Sequence, residues 1–132
     1  MVLFVTALMV EASPIIEYFR LKKDMAIHEF PVFRNSDIAL IVSGVGKVKS
    51  AMASAYLHSV YGSKQEDILV NIGFCGAGSN RHPPGTMLAI NKITDMDTGK
   101  DYYPDVFFGQ DLPKESIRCY SKTVQREDAG EN

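Results

Sequence analysis

One acidic residue, Glu11, is placed where a side chain can move a proton. It follows an apolar run at residues 2–7, which predicts a buried first strand, and it opens a stretch with helical spacing. Ligands of open α/β sheets bind just beyond strand ends, so Glu11 is a candidate general base or acid. A carboxylate that only stabilises the start of a helix has the same position. Taken alone, the residues slightly favour that structural role.

Three glycines that follow another apolar run form a second candidate site. The run at residues 68–72 predicts a central strand buried on both faces, and it leads into Gly73, Gly76 and Gly78. Glycine accepts positive φ and lets a ligand approach the backbone closely. The loop is therefore either a site wall or only a tight strand exit, and the residues alone favour neither.

Gly44 and Gly46 form a third junction between a strand and a loop, and it matches no nucleotide-binding motif. A phosphate loop requires glycine at position 41 and Ser or Thr at position 48, where the sequence has Ile41 and Val48. A dinucleotide fingerprint that starts at Gly44 requires a further glycine at position 49, which is Lys49. The sequence therefore predicts neither kind of nucleotide site here.

The other groups that could do chemistry give weaker signals. Cys75 could be a nucleophile, but no base can be placed beside it, so a small residue in a tight loop is the better interpretation. The histidines share no metal-ligand spacing, and the acidic residues near position 100 lack the Gly and Glu positions of a calcium loop. We therefore predict no metal and no cofactor. The groups are His28, His58 and His82, and Asp95, Asp97, Asp101 and Asp105.

The order of predicted elements indicates an α/β fold with a mixed sheet, because strands and helices alternate with one hairpin inserted. Pro14 is expected in the first turn of the first helix, and Lys22 and Lys23 at its end. Residues 95–110 are expected to be irregular. The predicted strands are 2–7, 26–34, 37–43, 68–72, 86–94 and 116–124, and the predicted helices are 11–20 and 48–61.

Length and composition are those of one globular domain, with 132 residues, 45% of them hydrophobic and 23% charged. A net charge of -2 gives no electrostatic reason to expect nucleic acid or an anionic membrane as partner. No apolar run approaches the ~20 residues of a membrane span. Cys75 and Cys119 predict reduced thiols in a cytoplasmic protein. Residues 125–132 form a polar tail that can be disordered.

The three junctions together resemble the nucleoside phosphorylase/nucleosidase superfamily, most closely its 5'-methylthioadenosine/S-adenosylhomocysteine nucleosidase branch. The matching segments are VTALMVEA at 5–12, SGVGKV at 43–48 and VNIGFCGA at 70–77, in the order and with the separations of the family. The resemblance runs from the first strand to about Asp97 and weakens after Tyr103. It implies a three-layer α/β/α fold around a mixed sheet, in a homodimer or larger homo-oligomer.

The resemblance also implies an activity and a role for each matched residue. The family cleaves the N-glycosidic bond of purine nucleosides, and the nucleosidase branch acts in methionine salvage. Glu11 corresponds to the acid that activates the attacking water, and Val45 to the apolar residue beside the sugar and the 5'-substituent. Phe74, Cys75 and Gly76 correspond to the loop along the ribose and base. An oriented nucleophile and a dry cleft suit an oxocarbenium-like sugar.

Two departures from the family pattern concern the substrate. Phosphorolytic members carry an Arg at the position of Asn71 and a Ser at that of Phe74, so this sequence favours hydrolysis over phosphorolysis. Phe74 also replaces the Ser that is usual in the nucleosidases, and its bulk can narrow or reshape the ribose site. This one residue leaves the identity of the nucleoside open.

A third departure is length, because family members are roughly twice as long. In the family, the Glu that holds the ribose hydroxyls and the Asp that protonates the purine lie beyond the matched part. We therefore expect residues 1–132 to be the N-terminal part of a single nucleosidase-type domain with little or no turnover. The alternatives are a catalytically inactive binding or assembly module of the same fold, and a nucleoside phosphorylase.

Overall fold

The computed structural model describes residues 1–62, 64–77, 81–107 and 109–124. The chain forms two compact units, Met1–Cys75 and Gly76–Asn132. The sequence predicts one mixed sheet, whereas each unit has its own sheet. Both sheets mix parallel with antiparallel strand pairs, so the mixed character is confirmed. Neither helix of the described part has the length and apolar character of a membrane span. The predicted polar tail at 125–132 lies outside the described residues.

The first unit is a five-stranded sheet with a helix on each face. Its elements are β1 (Val2–Thr6), α1 (Met9–Phe19), β2 (Lys22–Lys23), β3 (Val32–Arg34), β4 (Ile38–Val42), α2 (Lys47–Tyr61) and β5 (Ile68–Asn71). The strand order is β2-β3-β4-β1-β5. β1 is parallel to both β4 and β5, whereas β3 is antiparallel to β2 and β4.

The core of the first unit lies in two layers, one on each face of the sheet. Leu3 and Val5 of β1 pack with Leu57 of α2 on one face, and all three side chains are buried. Leu40 of β4 packs with Ala12 of α1 on the other face. Full burial of each large aliphatic side chain contributes roughly 1.5–3 kcal/mol. This arrangement confirms the predicted α/β/α layering in the first unit.

β5 lies at the edge of the sheet, so the prediction of a central strand buried on both faces is wrong. Among the described residues it pairs with β1 alone, from Ile68 opposite Val2 to Asn71 opposite Val5. Leu69 is 50% exposed. The physical reason is that an apolar run indicates only that both faces of a strand can be buried. It carries no information on how many strands and helices lie beside it.

α1 also differs from the prediction at both of its ends. Pro14 lies in the second turn rather than the first, because the helix begins at residue 9. The helix ends at Phe19, where Arg20 takes a left-handed conformation with φ of 53°. Lys22 and Lys23 are therefore not the helix end but the exposed edge strand β2. Lysines on an edge disfavour pairing with another chain.

The predicted hairpin between β3 and β4 is confirmed, with a shorter first strand. Its turn is held by the Asn35 side chain, whose Oδ1 accepts the N–H groups of Asp37 at 2.9 Å and of Ile38 at 2.8 Å. An Asn side chain that binds the backbone two and three residues ahead is a common way to close a tight turn. The hairpin brings β4 into the centre of the sheet beside β1.

The second unit is a three-stranded sheet. Its strands are β6 (Ala89–Asp95), β7 (Asp101–Tyr102) and β8 (Lys114–Cys119). β6 lies between the others, parallel to β8 and antiparallel to β7. β6 and β8 confirm the two predicted strands with shifted bounds. β7 lies within the stretch expected to be irregular, and the Thr94 hydroxyl donates to Asp101 there at 2.6 Å.

Candidate active site

The carboxyl ends of three parallel strands meet at one edge of the first sheet. The Ser43 N–H, after β4, donates to the Thr6 carbonyl at the end of β1 over 2.8 Å. The Ile72 N–H, after β5, donates to the Val5 carbonyl over 3.1 Å. Backbone hydrogen bonds therefore join the loops that follow β4 and β5 to the end of β1. This is the edge at which open α/β sheets bind ligands.

Glu11 lies at this edge, with its carboxylate turned back over the start of α1. Oε2 accepts the N–H groups of Ala7 at 3.0 Å and of Leu8 at 2.9 Å. Leu8 is the N-cap residue of the helix, whose N–H has no partner within the helix. A Leu side chain has no acceptor to return the bond, so Glu11 supplies only one half of a capping box. These two bonds are those of a helix cap.

The other carboxylate oxygen of Glu11 is bound from a distant part of the chain. Oε1 accepts the N–H of Phe74 at 3.1 Å, across 63 residues of sequence. Phe74 follows β5, so this bond connects the start of α1 with the glycine junction. A helix cap requires no such partner. The contact therefore indicates a carboxylate held toward the strand ends as well as toward its own helix.

Gly73 permits this contact because it has no side chain. A Cβ at Gly73 would lie 3.0 Å from Oε1 of Glu11 and 3.3 Å from its Cδ, closer than ordinary van der Waals contact. A Cβ at Gly76 would meet nothing within 4 Å. The sequence analysis places Gly73 in a candidate site wall, but it does not predict a contact between Gly73 and Glu11. The position of Gly73 directly after the β5 run is the signal that could have suggested it.

The positive φ expected of the glycines occurs at a different junction. Gly44 has φ of 84° and Gly46 has φ of 117°, whereas neither Gly73 nor Gly76 has a positive φ. Gly78 lies outside the described residues. In the loop after β4 the glycines therefore serve backbone conformation, and they present Val45 between them. In the loop after β5, Gly73 serves close approach.

The apolar residues expected to line the site are exposed in the described structure. Val45 is 67% exposed and Phe74 is 77% exposed, in the loops that follow β4 and β5. Cys75 is a free, exposed thiol. Gly76 is exposed and is the first residue of the second unit. The structure thus brings the Phe74 backbone to Glu11, and it leaves the candidate wall side chains open to a ligand.

Several of the other groups considered from the sequence have local structural partners. Asp95 Oδ1 accepts the Asp97 N–H at 2.9 Å, and hydrogen bonding from the Thr94 hydroxyl lowers the pKa of Asp101. His82 Nε2 lies 2.9 Å from Glu115 Oε1, and the bond to His82 lowers the pKa of that carboxyl. Within the described residues, no group of His, Cys, Asp and Glu side chains is arranged to hold a metal ion.

Solved structures of nucleosidases are similar to this chain in fold. A Helicobacter pylori MTAN mutant with 5'-methylthioadenosine in its active site matches 93% of this chain with a TM-score of 0.71 at 13% identity. The Chlamydia trachomatis MTAN matches 92% with a TM-score of 0.66 at 17% identity. The same protein bound to adenine matches 92% with a TM-score of 0.65 at 17% identity.

The chain has the fold of these nucleosidases. MTAN denotes 5'-methylthioadenosine/S-adenosylhomocysteine nucleosidase, so the resemblance carried by the three junctions is confirmed at the level of fold. The structural match extends over 92–93% of the chain, further than the sequence resemblance, which weakens after Tyr103. The chain spans only 60–65% of the length of the nucleosidase structures. No family model and no curated protein matches its sequence.

Proposed function

We propose that this chain forms the water-activating side of a purine nucleoside hydrolase, with methylthioadenosine or adenosylhomocysteine as substrate and Glu11 as general base. The observation that carries the proposal is the 3.1 Å bond from the Phe74 N–H to Glu11 Oε1. It holds a carboxylate at the strand edge where this fold class binds ligands. The shared fold supports the proposal, because MTAN structures hold methylthioadenosine and adenine.

In the proposed reaction, Glu11 takes a proton from water while the water oxygen attacks the anomeric carbon of the ribose. The bond between that carbon and the purine nitrogen breaks, and its electron pair leaves with the base. The purine must gain a proton as it departs, and Glu11 cannot serve both roles at once. No matched position in this chain corresponds to that acid. We therefore expect little or no turnover from residues 1–132.

The proposed walls of the site come from residues of the loops that follow β4 and β5. Val45 would contact the sugar and its 5'-substituent, and Phe74, Cys75 and Gly76 would lie along the ribose and base. Apolar walls exclude water other than the nucleophile, which strengthens the action of a charged base. The chemistry needs no cofactor, since water, a carboxylate and a proton donor suffice.

Ligand binding and adenine release test the proposal together. We expect the chain to bind methylthioadenosine, measured by calorimetry, and to release adenine only slowly, measured by chromatography. Glu11→Gln should keep binding but abolish the slow release, because an amide cannot accept the proton from water. Glu17→Gln is the matched control, since Glu17 lies exposed on the same helix. Failure to bind methylthioadenosine, adenosylhomocysteine or adenine would contradict the proposal, and an enzyme-like rate would contradict the expected low turnover.

A second candidate function is an inactive assembly module, and the edge strand supports it. β5 exposes Ile68 and Leu69, and α2 exposes Val48 and Met52 on its surface. An apolar edge strand drives association, so we propose a homodimer or larger homo-oligomer in either case. The cytoplasm is the proposed location because both cysteines are free thiols. Absence of any nucleoside binding by a stable oligomer would favour the module over the hydrolase.

A further inference from the structure

We propose that Gly73 and the Phe74 amide position Glu11 so that only Oε1 can receive a proton from the attacking water. The inference rests on the proposed function, and it names the atom that acts and the residues that place it. Gly73 and Phe74 serve here through their backbone. They are positioning residues for Glu11 rather than groups that react with the substrate.

Counting acceptor sites on the carboxylate identifies the reactive oxygen. Each oxygen of an ionised carboxylate offers about two lone pairs to hydrogen-bond donors. Oε2 accepts the N–H groups of Ala7 and Leu8, so both of its lone pairs are in use. Oε1 accepts one described donor, the Phe74 N–H. One lone pair of Oε1 therefore remains for a water molecule.

The absence of a side chain at Gly73 keeps Oε1 in this position. A Cβ there would be 3.0 Å from Oε1 and 3.3 Å from Cδ of Glu11, so an alanine would push against the carboxylate. Because Oε2 is anchored by two amides at the start of α1, the displacement would fall mainly on Oε1. Catalytic groups must be held to within about 0.5 Å of the productive geometry. The contact at Gly73 requires a shift of a few tenths of an ångström, which we expect to weaken the 3.1 Å bond from the Phe74 N–H to Oε1.

A helix cap alone does not explain these contacts. The cap is complete with Oε2, and the bond from Phe74 adds nothing to the start of α1. Gly73 does not have a positive φ, so alanine is compatible with its backbone. Steric contact with Glu11 is thus the reason for glycine at this position. The prediction that follows is that Gly73→Ala uncouples Phe74 from Glu11 without disrupting the helix cap.

Proton-nitrogen NMR spectra of the 15N-labelled 132-residue chain, recorded across an acid titration, test this inference. In the wild type we expect the amide signals of Ala7, Leu8 and Phe74 to shift with one common midpoint as Glu11 gains a proton. Glu11→Gln should remove that transition from all three signals. Gly73→Ala should retain it at Ala7 and Leu8 and reduce it at Phe74 at least twofold. Gly76→Ala serves only as the control for these amide signals. In this variant the signals of Ala7, Leu8 and Phe74 should still shift together as Glu11 gains a proton.

Two results would overturn the positioning role. One is a wild-type Phe74 amide signal that does not shift with those of Ala7 and Leu8. This result would overturn the positioning role even if Gly73→Ala does not fold. The other is a folded Gly73→Ala variant with an unchanged Phe74 transition. The spectra need no turnover, so their outcome is separate from that of the proposed function. Absence of nucleoside binding with the three amides coupled would contradict the hydrolase proposal alone.

Discussion

The amide of Phe74 donates to Oε1 of Glu11 over 3.1 Å, and it joins a loop after the edge strand β5 to the first turn of α1. The two residues are 63 positions apart in the sequence. Two further amides, from Ala7 and Leu8, hold the opposite oxygen. One side chain thus serves both the start of a helix and the strand edge at which a nucleoside is proposed to bind.

Replacement of Glu11 by alanine should destabilise the first unit. The substitution leaves the N–H groups of Ala7, Leu8 and Phe74 without their carboxylate acceptor, although water can reach them in part. Loss of a capping acceptor costs about 1 kcal/mol, and the additional bond raises the expected loss to about 1–2 kcal/mol. Urea unfolding followed by circular dichroism measures the difference. Glu17→Ala is the control and should change the free energy of unfolding by less than about 0.5 kcal/mol. An equal loss of stability in both variants would contradict the stabilisation of three amides by Glu11.

Replacement of Phe74 by serine should improve the binding of ligands that contain ribose. Phe74 is 77% exposed, so the fold loses little when its ring is removed. If the ring narrows the ribose site, Phe74→Ser should bind methylthioadenosine about tenfold more tightly than the wild type, which is a gain of about 1.4 kcal/mol in binding free energy. The affinity for adenine should stay constant. Calorimetry with both ligands separates the two effects. Phe107→Ser is the control because that ring is also exposed; a parallel change for both ligands would exclude a ribose-specific effect.

Tyr61 should make stability depend on pH in the alkaline range. Burial and the 2.5 Å hydrogen bond to Asp24 raise the pKa of Tyr61 to about 12 from its ordinary value of 10.0. Below pH 10 the Tyr61 hydroxyl is protonated in both the folded and the unfolded chain, so its full contribution to the free energy of unfolding is present. That contribution is lost as the pH rises through 12. We expect the free energy of unfolding to fall by roughly 1–2 kcal/mol over this range on its account.

Tyr61→Phe should remove that part of the alkaline loss, as measured by urea unfolding between pH 8 and 12. The variant lacks the hydroxyl that ionises more readily in the unfolded chain. Tyr18→Phe is the matched control, since Tyr18 is 81% exposed on α1. If both variants lose stability with the same slope as the wild type, the hydrogen bond between Tyr61 and Asp24 does not perturb the hydroxyl as described.

A charge on the edge strand should weaken self-association. Leu69 is 50% exposed on β5, and a lysine there would bring like charges together wherever two such edges meet. Light scattering after size exclusion should show an oligomer for the wild type and a smaller species for Leu69→Lys. Tyr18→Lys, on the exposed surface of α1, should leave the mass unchanged. A monomeric wild type at micromolar concentration would contradict the assembly through this edge.

Much of the fold could be predicted because local patterns determine local structure. Apolar periodicity predicted β1, α1, β4 and α2 within a few residues, and Asn35 marked the hairpin turn. The edge position of β5 could not be predicted, since it depends on which strands pair rather than on the strand itself. Lys22 and Lys23 were misassigned because a basic pair suits both a helix end and an exposed edge strand. The left-handed turn at Arg20 decides between the two.

The candidate site was predictable in outline and not in its contacts. Strand ends of a parallel sheet share an edge, so the meeting of the three junctions followed from the element order. The pairing of Glu11 with Phe74 did not, because it is a long-range contact between a side chain and a backbone amide. The role of Gly73 depends on that contact, since the closeness of a missing Cβ to a carboxylate can be seen only in three dimensions.

Oxygen labelling of the sugar product tests the central claim most directly. The chain is incubated with methylthioadenosine in H2(18)O, with and without phosphate, and the products are analysed by mass spectrometry. The proposal predicts a slow release of adenine, one 18O atom on the sugar product, no requirement for phosphate, and loss of this signal in Glu11→Gln but not in Glu17→Gln. A phosphorylated sugar product, or labelled sugar formed equally by wild type and Glu11→Gln, would contradict Glu11 as the base that activates water.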